Sequence, residues 1–257
     1  MPGFKHDGSS HYSGISNEHL VINIINNTPD FQNFFEIPTS ILEHKGGTST
    51  KADGLFKDLD KNEICSVSIK NHKTGTFDWI NTSKQIPTLL DSKFKNDLTI
   101  IKENFKNNND IEQTRKEVNT MFSDTFITIK NDSDFIKSIL QTIYYSYPDI
   151  VIINNNKNNE LISFKKDELI ELKTFDNFIY TLNHKNGKNS AQIMRTSVET
   201  KESINTNLRL RLVLNNGVNA LCGTSSSNTN SYPCLKIQQD NIHKFLNSIK
   251  KPFKIKL

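Results

Sequence analysis

The stretch STKADGLFKDLDKNEICSVSIKN, residues 49–71, decides the expected fold, because it reads as two strands joined by a turn. Ser49–Phe56 forms the first predicted strand and Glu63–Asn71 the second, with Asp, Lys and Asn residues between them. Alternating residues of a strand point to opposite faces. In the second strand Ile64, Ser66, Ser68 and Lys70 share one face, and Cys65, Val67 and Ile69 share the other. The segment therefore predicts an antiparallel β-hairpin.

Three residues of this hairpin have side chains suited to phosphodiester chemistry. Asp53 lies in the first predicted strand, and Ser68 and Lys70 share a face of the second. Cleavage of a phosphodiester needs oxygen ligands for a divalent cation, an activated water and a positive charge near the phosphate. Seventeen positions separate Asp53 from Lys70, which suits a hairpin that directs a carboxylate and an ammonium group at one phosphate.

The segments KADGLF (51–56) and SVSIKN (66–71) resemble the core of the PD-(D/E)XK, or restriction-endonuclease-like, nucleases. The resemblance covers roughly residues 14–83. It implies that Asp53 is a metal ligand and that Lys70 orients water or stabilises charge. Many members carry a further acid on the preceding helix, often in an Asn-Glu pair, and Asn17-Glu18 matches that placement.

Ser68 departs from the family pattern, which has an aspartate or glutamate at this position. Glu18 is the first candidate to compensate, followed by Glu36 and Glu43. The resemblance thus implies catalytic roles for Asp53, Lys70, Ser68 and Glu18. It also implies a Mg²⁺ ion, with Mn²⁺ as a substitute, held by Asp53, Glu18 and the carbonyl of Ile69. The alternative is a hairpin in which Asp53 caps a turn and Lys70 is solvated.

The segment after Lys70 combines hydrogen-bond donors, a glycine and the single tryptophan, which suits contacts to phosphates and bases. The predicted DNA-contacting residues here are Asn71, His72, Lys73, Thr76, Asp78 and Asn81. The alternative is a glycine turn whose aromatic residues pack inward.

The C-terminal quarter is basic, with ten Lys and Arg residues and three acidic residues from Arg195 onward, in a chain of net charge +4. A basic region suits a polyanionic partner. Arginine pairs with guanine, and asparagine or glutamine with adenine, in the major groove. The predicted DNA contacts are Arg195, Arg209, Arg211, Asn215 and Asn216, with Lys236, Gln238 and Gln239 at the start of the last helix. A solvated amphipathic sheet is the alternative.

Hydrophobic periodicity predicts the remaining elements. The predicted helices are Ser16–Asn27, Leu89–Phe105, Asp110–Phe122, Ser133–Tyr145 and Ile242–Ile249, with a helical turn at Ile37–Glu43. The further strands are Ile150–Ile153, Leu161–Phe164, Leu208–Leu214, Val218–Cys222 and Cys234–Ile237. They predict an α/β fold with a central mixed β-sheet of about five strands flanked by helices and a β-rich C-terminal extension.

Three regions are expected: a flexible arm (1–15), a nuclease core (16–190) and a basic DNA-contacting region (191–257) packed on the core as one unit. No apolar run reaches the roughly 18 residues of a transmembrane helix, and the N-terminus lacks a secretory signal. Three cysteines without a C-x-x-C pair indicate reduced thiols in a cytoplasm-like compartment and no zinc site.

The function expected from these features is Mg²⁺-dependent, sequence-specific cleavage of double-stranded DNA, as in a type II restriction endonuclease. A palindromic site would favour a homodimer. Two alternatives stay open: a homing or repair-type endonuclease on the same core, and a DNA-binding protein that has lost catalysis.

Overall fold

A computed structural model describes residues 9–45, 52–72, 76–82, 88–169, 175–225 and 231–257. The chain divides into two compact units, each with its own β-sheet. The first unit comprises residues 1–77, 144–170 and 243–257, and the second comprises 78–143 and 171–242. This division differs from the predicted boundaries after residues 15 and 190, because the chain leaves the first unit after Phe77 and returns to it twice.

The described part of the chain contains the following elements in sequence order. The helices are α1 (Ser9–Asn26), α2 (Pro29–Phe34), α3 (Thr88–Asn108), α4 (Ile111–Ile129), α5 (Ser133–Ser146), α6 (Gly217–Leu221) and α7 (Ile242–Ser248). The strands are β1 (Ile41–His44), β2 (Gly54–Lys57), β3 (Glu63–His72), β4 (Phe77–Thr82), β5 (Ile150–Asn155), β6 (Glu160–Lys165), β7 (Phe178–His184), β8 (Ser190–Ser197), β9 (Ser203–Leu214), β10 (Pro233–Gln239) and β11 (Phe253–Lys256). None of these helices is both long enough and apolar enough to cross a membrane.

The first unit is built on a six-stranded mixed sheet with the order β1-β2-β3-β5-β6-β11. Strands β1, β2 and β3 form an antiparallel meander, and β5 runs parallel to β3 with Val67 opposite Ile150. A parallel pair needs a long crossover connection. Here that connection holds residues 73–149, which include much of the second unit. The predicted mixed sheet flanked by helices is therefore confirmed at the level of fold class.

The hydrophobic core of the first unit lies between this sheet and helices α1 and α2. Val21, Phe31, Leu42, Phe56 and Val67 are all at most 1% exposed and belong to this core. Because Val67 and Ile69 face the core, the alternation of β3 directs Ser68 and Lys70 to the opposite face of the sheet. The prediction of which β3 residues share a face is confirmed.

Gly54 allows β1 to approach β2 closely, just after Asp53. A Cβ atom at this position would lie 2.9 Å from Cδ1 of Leu42 and 3.1 Å from the carbonyl oxygen of Glu43. A side chain would therefore force a shift of the β1 backbone or of a buried leucine. The hairpin geometry that positions Asp53 depends on this glycine.

Two predictions at the N-terminus are wrong. Helix α1 begins at Ser9 and not at Ser16. The helical turn expected at Ile37–Glu43 is absent, because Ile41–His44 pairs with β2 as an edge strand. The local sequence is compatible with a strand or with a helical turn, and the pairing with β2 selects the strand.

The second unit contains a five-stranded sheet with the order β4-β10-β9-β8-β7. Helix α4 covers one face, since Phe126 stacks 5.1 Å from the ring of His184 on β7. Helix α3 packs on α4 through an edge contact between Phe94 and Phe122. The buried leucines of β9 face these helices, and Arg209 and Arg211 alternate with them on the other face.

The predicted C-terminal elements need correction at three places. Val218–Cys222 is not a strand, because Gly217–Leu221 forms α6. Lys236, Gln238 and Gln239 do not open a helix, because they pair with β9 as part of β10. The β-rich region does not simply extend the first sheet: β7–β10 form the second sheet with β4, and only β11 joins the first, beside β6.

Candidate functional site

The carboxylate of Asp53 is held against the middle of β3. Its Oδ2 atom accepts hydrogen bonds from the backbone nitrogen of Ile69 at 2.6 Å and from the Ser68 hydroxyl at 3.1 Å. The backbone nitrogen of Asp53 donates to the carbonyl of Val67 at 2.8 Å. Asp53 is therefore fixed at the point where β2 begins, beside the two residues that precede Lys70.

The same edge of β3 offers two oxygen atoms to a ligand. Among the described residues, Oδ1 of Asp53 has no hydrogen-bond partner. In an extended strand the N–H and C=O groups of one residue point to the same side. Because the N–H of Ile69 points at Asp53, its carbonyl faces that side too, beyond the last β2–β3 pair of Gly54 with Val67.

Tyr147 completes this cluster and was missed by the sequence prediction. Its side chain is buried, and its hydroxyl lies 3.2 Å from the Ser68 hydroxyl. The ammonium of Lys70 lies 5.8 Å from the centre of the Tyr147 ring. A continuous set of polar contacts thus runs from Lys70 through Tyr147 and Ser68 to Asp53.

The segment around Tyr147 is fixed to β3 by its neighbour Asp149. The Asp149 carboxylate accepts hydrogen bonds from the backbone nitrogen of Ser66 at 3.0 Å and from its hydroxyl at 2.8 Å. These contacts join residues far apart in sequence, at the start of the parallel strands β3 and β5. No local motif signals them, so only the three-dimensional register reveals the role of Tyr147.

Burial raises the pKa of the Tyr147 hydroxyl, and the nearby positive charge of Lys70 opposes that shift. The phenol is therefore neutral at physiological pH and can donate a hydrogen bond. Since the Ser68 proton is directed at Asp53, the Tyr147 proton is directed at the Ser68 oxygen.

Glu18 lies on the other face of the first sheet, with His44. Its Oε2 atom lies 2.8 Å from Nε2 of His44, a β1 residue that pairs with Gly54. The adjoining Asn17 accepts a 2.6 Å hydrogen bond from Asn154 on β5. The predicted Asn-Glu pair is therefore part of α1 and contacts the sheet. Glu18, however, forms its hydrogen bond with His44 and not with Asp53.

The two further candidates for the missing acid form ion pairs elsewhere. Glu43 lies 2.6 Å from the ammonium of Lys57 across the β1–β2 pair. Glu36 has an exposed side chain 3.7 Å from that of Lys165. Neither residue joins the Asp53, Ser68 and Lys70 cluster.

A divalent cation at this site would have few protein ligands. Within the part of the chain that the structure describes, no group of three His, Cys, Asp or Glu residues is arranged to hold a metal ion. Mg²⁺ commonly keeps several waters and binds one or two carboxylates together with substrate phosphates. The free carboxylate oxygen of Asp53 and the carbonyl of Ile69 fit such a sparse, hard oxygen donor set.

The predicted DNA contacts that follow Lys70 divide into accessible and buried residues. Thr76 is exposed, and Asn71 is half-buried with its amide bonded to Asn156. His72 is only 3% exposed and contacts Asn155, so in this conformation it presents no side chain to DNA. Lys73 lies outside the described residues, and Asn81 lies on β4 with its side chain outside them.

Several predicted contacts of the second unit meet on one face of its sheet. Asp78 on β4 accepts hydrogen bonds from Lys236 at 2.9 Å and from Gln238 at 3.1 Å. In the register of β9 and β10, Gln238 lies opposite Arg209 and Lys236 opposite Arg211. The Arg209 guanidinium donates two hydrogen bonds to Asp240. The structure thus brings together Asp78, Arg209, Arg211, Lys236 and Gln238.

The other predicted contacts lie apart from this polar face. Gln239 is buried and accepts a hydrogen bond from Trp79 at 3.1 Å, on the core side of β10. The Arg195 guanidinium lies 4.6 Å from the centre of the Phe178 ring, beside buried Tyr180. Asn215 and Asn216 form the turn before α6, with Asn216 in the left-handed conformation at φ 62°.

Comparisons with known proteins identify no relative for this chain. No protein-family model, no curated protein sequence and no solved structure matches it.

Proposed function

We propose that this protein is a Mg²⁺-dependent endonuclease that hydrolyses phosphodiester bonds in double-stranded DNA at specific sequences. The observation that carries the proposal is that Asp53 is held against Ser68 and Ile69 of β3, while Tyr147 links Ser68 to the ammonium of Lys70. This arrangement offers a fixed carboxylate, a strand carbonyl and a nearby ammonium group. It agrees with what the resemblance to the PD-(D/E)XK nucleases implies for these positions.

The proposed reaction joins the oxygen of a water molecule to phosphorus while one ester P–O bond breaks and the leaving oxygen takes up a proton. Asp53 and the carbonyl of Ile69 would hold Mg²⁺, and Glu18 would contribute at most through water, since it is bonded to His44. The bound ion supplies Lewis acidity and lowers the pKa of a coordinated water. Lys70 orients the attacking water and stabilises negative charge that develops on the phosphate.

Ser68 and Tyr147 have supporting roles in this proposal. The Ser68 hydroxyl fixes Asp53, Tyr147 fixes Ser68, and the ring of Tyr147 lies beside the Lys70 ammonium. A preorganised arrangement of this kind avoids reorganisation during the reaction. The polar face of the second unit, with Arg209, Arg211 and Lys236, supports an interaction with DNA.

A second candidate function is DNA binding without catalysis. Two observations favour it: a serine occupies the position of the second acid, and the described residues contain no group of three metal-ligating side chains. Such a protein would bind DNA with an affinity that depends on salt and not on Mg²⁺.

Incubation of the full chain with plasmid and phage DNA, with Mg²⁺ and with EDTA, distinguishes the two functions. The nuclease proposal predicts discrete fragments that form only with Mg²⁺. Binding that survives EDTA, with intact DNA at every Mg²⁺ and Mn²⁺ concentration, would establish the second function instead.

A further inference from the structure

The hairpin formed by β7 and β8 carries polar groups that the catalytic chemistry does not use. Its turn is fixed to helix α4, because the backbone nitrogen of Gly187 donates a 2.9 Å hydrogen bond to the Ser123 hydroxyl. His184 also contacts Ser123 and the carbonyl of Ser190, at 3.0 and 3.2 Å. The tip of the hairpin is therefore held in place by hydrogen bonds on its core side.

A cleft of about 320 Å³ opens at this tip on the polar face of the second sheet. Its polar lining residues are Asn183, Lys185, Lys188, Ser190, Gln192 and Arg209. Three of them are cations, and none of the described lining residues is acidic. Asp240 neutralises Arg209 from the side, so the excess positive charge lies on Lys185 and Lys188 at the turn. The cleft therefore favours an anion.

Two amide side chains form a row that leads from this tip across the sheet. Asn183 lies opposite Gln192 on the neighbouring strand, and Gln192 lies opposite Arg209. Asn183 is exposed and Gln192 half-buried, and within the described residues neither amide has a hydrogen-bond partner. Each amide offers a donor and an acceptor in fixed positions.

We propose that the β7–β8 hairpin is the element that reads the sequence of duplex DNA, a proposal that rests on the nuclease function proposed above. These two strands lie about 4.8 Å apart at the edge of the sheet, and their polar face is placed against a major groove about 12 Å wide. Asn183 and Gln192 contact the edges of bases, for which adenine is the matching partner. Lys185 and Lys188 contact the phosphates that flank the groove.

The cleft chemistry favours a duplex over a single strand. Recognition of single-stranded RNA or DNA relies on aromatic rings that stack on unpaired bases. The described residues that line this cleft include no aromatic side chain. Amides and lysines without a stacking surface match paired bases and a regular phosphate backbone.

The test selects bound sequences from a random duplex library with the full chain, Ca²⁺ replacing Mg²⁺ so that bound DNA is not cut. The proposal predicts that N183A/Q192A flattens the base preference at specific positions while keeping the salt dependence. It predicts that K185A/K188A weakens binding to all sequences and reduces the slope of log affinity against log salt by about 2. The control K102A/K116A, which removes two exposed lysines from α3 and α4, should leave the base preference unchanged.

The outcomes separate this proposal from the nuclease proposal. An unchanged base preference in N183A/Q192A, in a protein that still binds or cuts specific sites, would overturn the reading role alone. Sequence-selective binding that the hairpin variants abolish, without cleavage by wild type in Mg²⁺, would support the reading role and overturn the nuclease. Preference for single-stranded RNA or DNA over a duplex, or no binding to any duplex, would overturn both.

Discussion

The hydroxyl of Tyr147 lies 3.2 Å from the hydroxyl of Ser68, and this contact joins the two halves of the candidate site. On one side Ser68 donates to Asp53, and on the other the ring of Tyr147 lies 5.8 Å from the ammonium of Lys70. Buried polar networks of this kind orient their members more strongly than isolated hydrogen bonds do. Ser68 therefore connects the proposed metal ligand to the proposed catalytic lysine, although it cannot replace a carboxylate.

Replacing Tyr147 by Phe should lower the single-turnover cleavage rate about tenfold with little change in DNA affinity. The variant keeps the ring beside Lys70 but removes the hydroxyl that orients Ser68. A matched control is Tyr144→Phe, which removes the hydrogen bond to Asp167 in the same segment. Equal rate losses in the two variants, or a loss confined to DNA affinity, would exclude a positioning role for Tyr147.

The buried phenol of Tyr147 should make the fold sensitive to alkaline pH. Burial raises the pKa of this group in the folded protein, so the folded state holds its proton more tightly than the unfolded state. Its contribution to stability is complete below the ordinary tyrosine pKa of about 10 and is lost as pH rises above that value. Urea unfolding at pH 8 and at pH 10.5 should show a smaller loss of stability in Tyr147→Phe than in wild type. Equal losses would contradict this linkage.

Replacing Ser68 by Asp should lower the Mg²⁺ concentration needed for half-maximal cleavage by tenfold or more. A second carboxylate beside Asp53 would supply the hard oxygen ligand that the present site lacks. Without metal, the same variant should be less stable than wild type, because two adjacent carboxylates repel each other. Thermal unfolding with EDTA and with Mg²⁺ measures both effects. An unchanged metal requirement in a folded variant would show that Ser68 does not face the ion.

Replacing Glu18 by Gln should change the cleavage rate by only about threefold. The Glu18 carboxylate is bonded to His44 on the helix-facing side of the sheet, so its loss would leave the Asp53 site intact. Glu43→Gln is the control. Glu43 is the neighbour of His44 on β1, and its carboxylate pairs with Lys57. A loss of a hundredfold or more in Glu18→Gln alone would identify Glu18 as a metal ligand, as the family resemblance implies.

The residues that share a face of β3 could be predicted, because side chains alternate along a strand whatever its pairing partner is. The partner of β3 could not be predicted, because the parallel pairing with β5 depends on a long-range crossover. The contact of Tyr147 with Ser68 could therefore not be predicted from the sequence. Strands β7 and β8 were missed for a different reason: FIYTLNH and SAQIMRTS mix polar and apolar residues without clean alternation. Their hairpin is stabilised by neighbouring strands and α4 and not by local propensity.

A catalytic role of Lys70 is tested by the cleavage rate of Lys70→Ala, measured on the preferred DNA with saturating Mg²⁺. Lys57→Ala is the control, because it removes a lysine from the same hairpin that is paired with Glu43. We expect Lys70→Ala to lose at least a hundredfold in rate while DNA binding persists, and Lys57→Ala to cleave like wild type. Wild-type cleavage by a folded Lys70→Ala protein would contradict the assignment of the β2–β3 hairpin as the catalytic centre.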